Sequence, residues 1–118
     1  MSTQEIANGI VKLCKAGQFD EAYTTYFAKN AKSVEPIPNL PVAQGLDALI
    51  AKGQGWEKIT EVHSMEVSAP MVAGNHFAIT FKMDTTNKES GKRNQMEEIG
   101  LYQVKNGKVV SEQFFYDF

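Results

Sequence analysis

The chain has 118 residues, 42% of them apolar and 22% charged, with a formal net charge of −2 and an isoelectric point near 5.7. This is ordinary globular usage at the size of one domain, and the slight acidity argues against the clustered Lys and Arg of a nucleic-acid partner. The single cysteine, Cys14, leaves no intrachain disulfide. The charged first turns, with Glu5, Lys12 and Lys15, fit neither a signal peptide nor a membrane span, so a cytoplasmic protein without a membrane partner is expected.

Ser2 and Glu5 have the spacing of a capping box. Ile6, Ile10 and Leu13 follow at helical period, with Val11 and Cys14 widening the stripe, and Gly17 ends the helix. Phe19, Ala22, Tyr23, Tyr26 and Phe27 predict a second helix. Residues 31–35 read as a short extended piece stopped by Pro36. Pro36, Pro38 and Pro41 make residues 36–45 a loop, because each fixes φ and biases the residue before it away from helix. Leu46, Leu49, Ile50 and Trp56 predict a third, weaker helix whose end is frayed by Gly53 and Gly55.

From Glu61 onward the period is two. His63, Met65 and Val67 alternate with polar residues. A turn follows at 70–75, then Phe77, Ile79, Phe81 and Met83 alternate, then a polar turn at 87–94. Residues 96–104 and 108–116 are the last two strands, joined at Asn106 and Gly107. Helices followed by an antiparallel meander predict a single α+β domain over residues 1–118, its curved sheet closed by the N-terminal helices around a pocket.

The last hairpin has two possible registers. A two-residue loop, Asn106 and Gly107, pairs Val104 with Val109. A three-residue loop that adds Lys105 pairs Val104 with Lys108. The choice flips one strand relative to the other. In the second register Met96, Glu98, Gly100, Tyr102 and Val104 share a face with Val110, Glu112, Phe114 and Tyr116. Ile99, Leu101 and Phe115 then form an apolar patch on the opposite face, and a homodimer through that face is expected to cover it.

The run Ala16, Gly17, Gln18, Phe19, Asp20 resembles the turn between the first two helices of the nuclear transport factor 2-like superfamily, and of its SnoaL-like proteins in particular. Phe27 to Ala31 leading into Val34, Glu35 and Pro36 resembles that family's entry into its first strand. Val104 to Val110 resembles its last hairpin, and Phe114 to Asp117 its terminus. The resemblance covers nearly the whole chain and implies a cystatin-like cone. It also favours the three-residue loop, since similar proteins turn there through a glycine bulge. The superfamily holds ketosteroid isomerase, polyketide cyclases, dehydratases and members that only bind, so activity has to be argued from the site.

By position, the resemblance places Glu35 where the isomerase has its carboxylate base. Ile10 and Gly100 stand where that enzyme has its hydrogen-bonding tyrosine and protonated aspartate. Steroid isomerisation is therefore not expected, for lack of donors to a developing oxyanion. Glu98 and Glu112, if both project into one apolar hollow, raise each other's pKa and can divide acid and base roles. In the alternative register Glu97 points inward instead. His63, alternating with Met65 and Val67, is a candidate acid/base partner. Trp56, Phe77, Phe81, Tyr102, Phe114 and Tyr116 are the expected lining. No phosphate loop, HExxH or Cys/His metal spacing occurs, so neither a cofactor nor a metal is expected. Two functions remain: a cofactor-free enzyme moving protons on a small, largely apolar carbonyl compound (isomerisation, cyclisation or dehydration), or a non-catalytic ligand-binding or dimerisation module.

Overall fold

The computed structural model describes residues 1–117; residue 118, the end of the expected domain, lies outside the described residues. Helix α1 (Thr3–Lys15) starts at the expected capping box. Ser2 Oγ accepts the Glu5 N–H at 3.1 Å, and Glu5 Oε1 accepts the Ser2 N–H at 3.0 Å. One face of α1 buries Ile6, Ala7, Ile10, Val11 and Cys14. Helix α2 (Phe19–Tyr26) stops before its apolar period does, because Phe27 is already extended and opens strand β1 (Phe27–Val34). Phe27 pairs with Val109 of the last strand, and this ladder contact overrides the helical pattern.

The proline-rich loop carries a short edge strand, β2 (Ala43–Gln44), paired with β1. Helix α3 (Leu46–Ile59) runs through Gly53 and Gly55 instead of fraying there. Leu49 is buried and Trp56 packs against the core, and that packing outweighs the roughly 1 kcal/mol that each glycine costs a helix. At Gly53 a Cβ would stand 3.7 Å from the Tyr23 ring, an ordinary van der Waals contact, so the packing of α2 on α3 does not itself require a glycine there.

The remaining strands are β3 (Thr60–Val67), β4 (Met71–Ala73), β5 (His76–Asn87), β6 (Arg93–Lys105) and β7 (Lys108–Phe115). Strand β4 lies inside the stretch expected to be only a turn; it folds back on β5 with Ala73 opposite His76. The sheet order is β2-β1-β7-β6-β5-β3, antiparallel except for the parallel β1–β7 pair. The sheet is curved and unclosed, and the helices cover its concave face. Among the described residues, no helix is long and apolar enough to cross a membrane.

Side chains on the concave face form rows across the strands. Met65, Met83 and Met96 stand in one register, followed by Val67, Phe81 and Glu98. Ile79, Gly100 and Phe114 form the next row, and Phe77, Tyr102, Glu112 and Ser33 the last. The last row meets α1, where Ile6, Ile10 and Phe77 share the buried core.

Two β-bulges set which residues face inward. In the last hairpin Lys105 pairs with Lys108, so the loop is the two residues Asn106 and Gly107, at φ 52° and 75°. The expected three-residue loop is therefore incorrect. Both residues take the left-handed conformation of the two-residue turn that matches strand twist. Val104 faces Val109, which is fully buried, and an extra residue, Val110, then shifts the pairing so that Tyr102 meets Glu112. Glu98, Gly100 and Tyr102 thus do share a face with Glu112 and Phe114, but Val109 takes the inward place expected for Val110. The second bulge lies in β3, where Val62 pairs with Thr85 but Ser64 with Asp84. His63 is the unpaired residue between them, and the bulge removes it from the alternation that placed it inward.

Candidate active site

Between the sheet and helices α2 and α3 lies a cavity of about 680 Å³, within the range of small-molecule sites. Its walls are mostly apolar. The methionine row, Phe81 and Phe114 come from the sheet, Trp56 from α3, Phe19 and Tyr23 from α2, and Ile37, Leu40 and Pro41 from the proline-rich loop.

Glu112 stands at one end, only 1% exposed. Tyr23 Oη lies 2.9 Å from each of its carboxylate oxygens, and Ser33 Oγ lies 3.2 Å from Oε2. The Ser33 contact follows from register, since Ser33 and Glu112 are partners across β1 and β7. Ser33 Oγ also accepts from Lys52 Nζ at 2.7 Å, and Lys52 pairs with Glu35 Oε1 at 3.1 Å. The ammonium sits 5.4 Å above the centre of the Phe114 ring, within reach of a cation–π interaction. A continuous polar chain therefore runs from Tyr23 through Glu112, Ser33 and Lys52 to Glu35. Among the described residues, the second oxygen of Glu35 is buried without a hydrogen-bond partner within 3.5 Å.

Burial pushes the Glu112 carboxyl up to about 7, against the opposing pull of the Tyr23 hydrogen bond, the Lys52 charge and Ser33. Glu98 is also pushed up to about 7, by burial and then by the charge on Glu35, with Lys52 pulling it down. The two differ in their contacts. Glu112 is held by Tyr23 and Ser33, whereas Glu98 makes no hydrogen bond or ion pair among the described residues. Burial and the Glu112 charge hold the Tyr23 and Tyr102 phenols well above their usual range, so both remain proton donors. Tyr116 is pushed up to about 12 by burial and by Glu35 and Glu98. Burial likewise pushes the Cys14 thiol to about 12, which removes its thiolate.

Of the residues expected to carry chemistry, Glu35, Glu98 and Glu112 line this cavity. His63 does not. It is exposed, with Nε2 2.6 Å from Thr86 Oγ1, for the bulge reason given above. Of the expected lining, Trp56, Phe81, Tyr102, Phe114 and Tyr116 reach the cavity. Phe77 does not: its ring stacks behind Tyr102 at 4.8 Å and 9°, filling the core. Tyr23, Ser33 and Lys52 escaped sequence reasoning. Lys52 had a usable signal, because it stands three residues after Leu49 and four before Trp56, on the inward stripe of α3. Ser33 is two residues from Glu35 in an extended segment and so shares its face. Among the described residues, no group of three or more His, Cys, Asp or Glu is placed to hold a metal ion.

The family model for the SnoaL-like domain matches residues 1–116. The chain belongs to the SnoaL-like family. A solved structure from Mesorhizobium loti, given as a candidate SnoaL-like polyketide cyclase [carbohydrate phosphatase], is 41% identical over 98% of this chain and 100% of its own, with a TM-score of 0.93. A nuclear transport factor 2-like protein from Burkholderia thailandensis is 15% identical over 99% of this chain and 92% of its own, TM-score 0.83. A protein of ketosteroid isomerase-like fold from Catenulispora acidiphila, solved with trimethylamine, is 16% identical over 97% and 86%, TM-score 0.76. The last two share the cone fold with this SnoaL-like chain. No curated protein matches it.

Proposed function

We propose that the cone binds a small, largely apolar carbonyl compound and that Glu98 moves a proton on it without a cofactor. The observation that carries this reading is Glu98 itself: partly buried among rings, without a hydrogen-bond partner among the described residues, and pushed up to about 7. A carboxylate with that pKa divides its time between acid and base at neutral pH, which is what general acid–base work requires. As base, Glu98 removes a proton from the carbon next to the carbonyl; the C–H electron pair becomes the new carbon–carbon double bond, and the carbonyl π pair moves onto the oxygen. As acid, the same group returns a proton to carbon, to the same position or another. Glu35 and its partner Lys52 set the field around Glu98, while Glu112 is held by Tyr23 and Ser33. The polyketide cyclase description of the Mesorhizobium loti relative is compatible with chemistry on carbonyl carbons.

The test is deuterium uptake at the α-carbon of 2-octanone in D2O, followed by NMR. Exchange is expected to accelerate as pH rises through about 7, where Glu98 ionises, and to fall by roughly a hundredfold or more in Glu98→Gln. The competing reading is a binding module without catalysis, favoured by how many of the cavity's acids are already paired. Ketone binding without Glu98-dependent exchange would establish it.

A further inference from the structure

Tyr102 is 4% exposed, lines the cavity, and makes no hydrogen bond among the described residues. Its hydroxyl is not one of the sealed polar atoms; it opens onto the cavity as a donor with no acceptor among the described residues, and the phenol is held firmly. Its ring stacks on Phe77 at 4.8 Å and lies down over Gly100. A Cβ at Gly100 would stand 2.9 Å from both Tyr102 Oη and Cε2. Any larger residue at position 100 would drive the hydroxyl out of its seat. Glu98, Gly100 and Tyr102 occupy successive inward positions of β6, so the phenol lies along the strand between its own backbone and Glu98. On the other side of Glu98 the wall is the row Met65, Met83 and Met96, a soft apolar surface suited to a hydrocarbon of variable shape.

From these placements we infer that Tyr102 is the hydrogen-bond donor to the ligand's carbonyl oxygen, with Gly100 as its positioning residue, and that the ligand is a ketone-type compound whose hydrocarbon part lies on the methionine row. The inference rests on the reading that the cone takes a carbonyl compound. It supplies the oxyanion donor whose usual positions in the resembling isomerase are occupied here by Ile10 and Gly100. The glycine that removes one donor makes room for the other. When the carbon beside the carbonyl loses its proton to Glu98, charge develops on the oxygen that Tyr102 touches, where a fixed donor in an apolar site is most effective.

The experiment uses carbonyl-13C 2-octanone and its shorter homologues. Binding is followed by the emission of Trp56, the only tryptophan and part of the cavity wall. The bound carbonyl stretch is followed by isotope-edited infrared difference spectroscopy. With wild-type protein the bound carbonyl band is expected at lower frequency than in Tyr102→Phe, which keeps the ring and its stacking but lacks the O–H. Affinity falls roughly fivefold in that variant, the loss of one hydrogen bond. Gly100→Ala is expected to show the same band shift although its phenol is intact. Affinity rises roughly fourfold per added methylene until the tail reaches the cavity's end. An unmoved carbonyl band in Tyr102→Phe, absence of ketone binding to the wild type, or affinity independent of chain length each overturns the inference. A Tyr102-dependent band without deuterium exchange overturns the role of Glu98 and leaves Tyr102 assigned; exchange with an unmoved band does the reverse.

Discussion

Glu112 brings together opposing effects at a single side chain. Its burial raises the cost of ionisation, while Tyr23, Ser33 and Lys52 reduce that cost without cancelling it, and the net result is a carboxyl near 7. The sign of its contribution to stability follows. In the unfolded chain the carboxyl ionises near 4.5; in the folded protein it holds its proton to about 7. Over that window the folded state binds more protons than the unfolded one, so stability falls as pH rises and levels off above the folded pKa. Below the window both states are protonated and the penalty is absent. Glu112→Gln imitates the protonated acid. Its melting temperature is expected to match wild type near pH 4.5 and to exceed it at pH 8, with a flatter course between. Calorimetry across that range decides the matter; a variant curve parallel to wild type would show that Glu112 titrates normally.

The same residue also marks where sequence reasoning succeeded and where it stopped. That Glu98 and Glu112 share a face follows from the two-residue period of β6 and β7, and local pattern carries that information. That Glu112 is tied while Glu98 is unbonded depends on Tyr23, eighty-nine positions away in sequence, and on Lys52 from another helix. No local pattern encodes such contacts. His63 shows the converse failure: its alternation with Met65 and Val67 is real, but one inserted residue in β3 reverses its side.

At the scale of elements, bulges and turns control the site more than propensity does. The capping box and apolar stripe of α1 were legible because they are local and redundant. The end of α2 and the persistence of α3 past Gly53 and Gly55 were not, since pairing and packing decide both. The hairpin between β6 and β7 is the sharpest case. Its tight loop taken alone would put Val110 outside, and the bulge there restores the phase that brings Glu112 and Phe114 inward. The loop depends on Gly107, whose φ of 75° is strained for any residue with a Cβ. Gly107→Ala is expected to destabilise the protein by about 1 kcal/mol or somewhat more, lowering the melting temperature by roughly 4 °C. Asn106→Gly, which adopts the local φ of 52° freely, is the control and should change stability by less than about 0.5 kcal/mol.

For the whole molecule, the convex face of the sheet poses a problem that the cone does not solve. Ile99, Leu101 and Phe115 remain 46%, 38% and 45% exposed. Ile99 and Phe115 are direct partners across β6 and β7, and Leu101 follows on the same side. The three form one contiguous apolar patch bordered by polar Gln103, Gln113 and Glu97, the pattern of a buried centre with a wet rim. We propose that a second copy of the chain covers it, because a two-fold contact lets one patch meet itself and requires no separate partner. Light scattering at micromolar concentration should then report twice the 13.1 kDa chain mass. Leu101→Glu with Phe115→Lys should give the single-chain mass, and ketone binding should persist, because neither residue lines the cavity. A wild-type protein that scatters as one chain at that concentration removes the dimer and leaves the patch to some other cover.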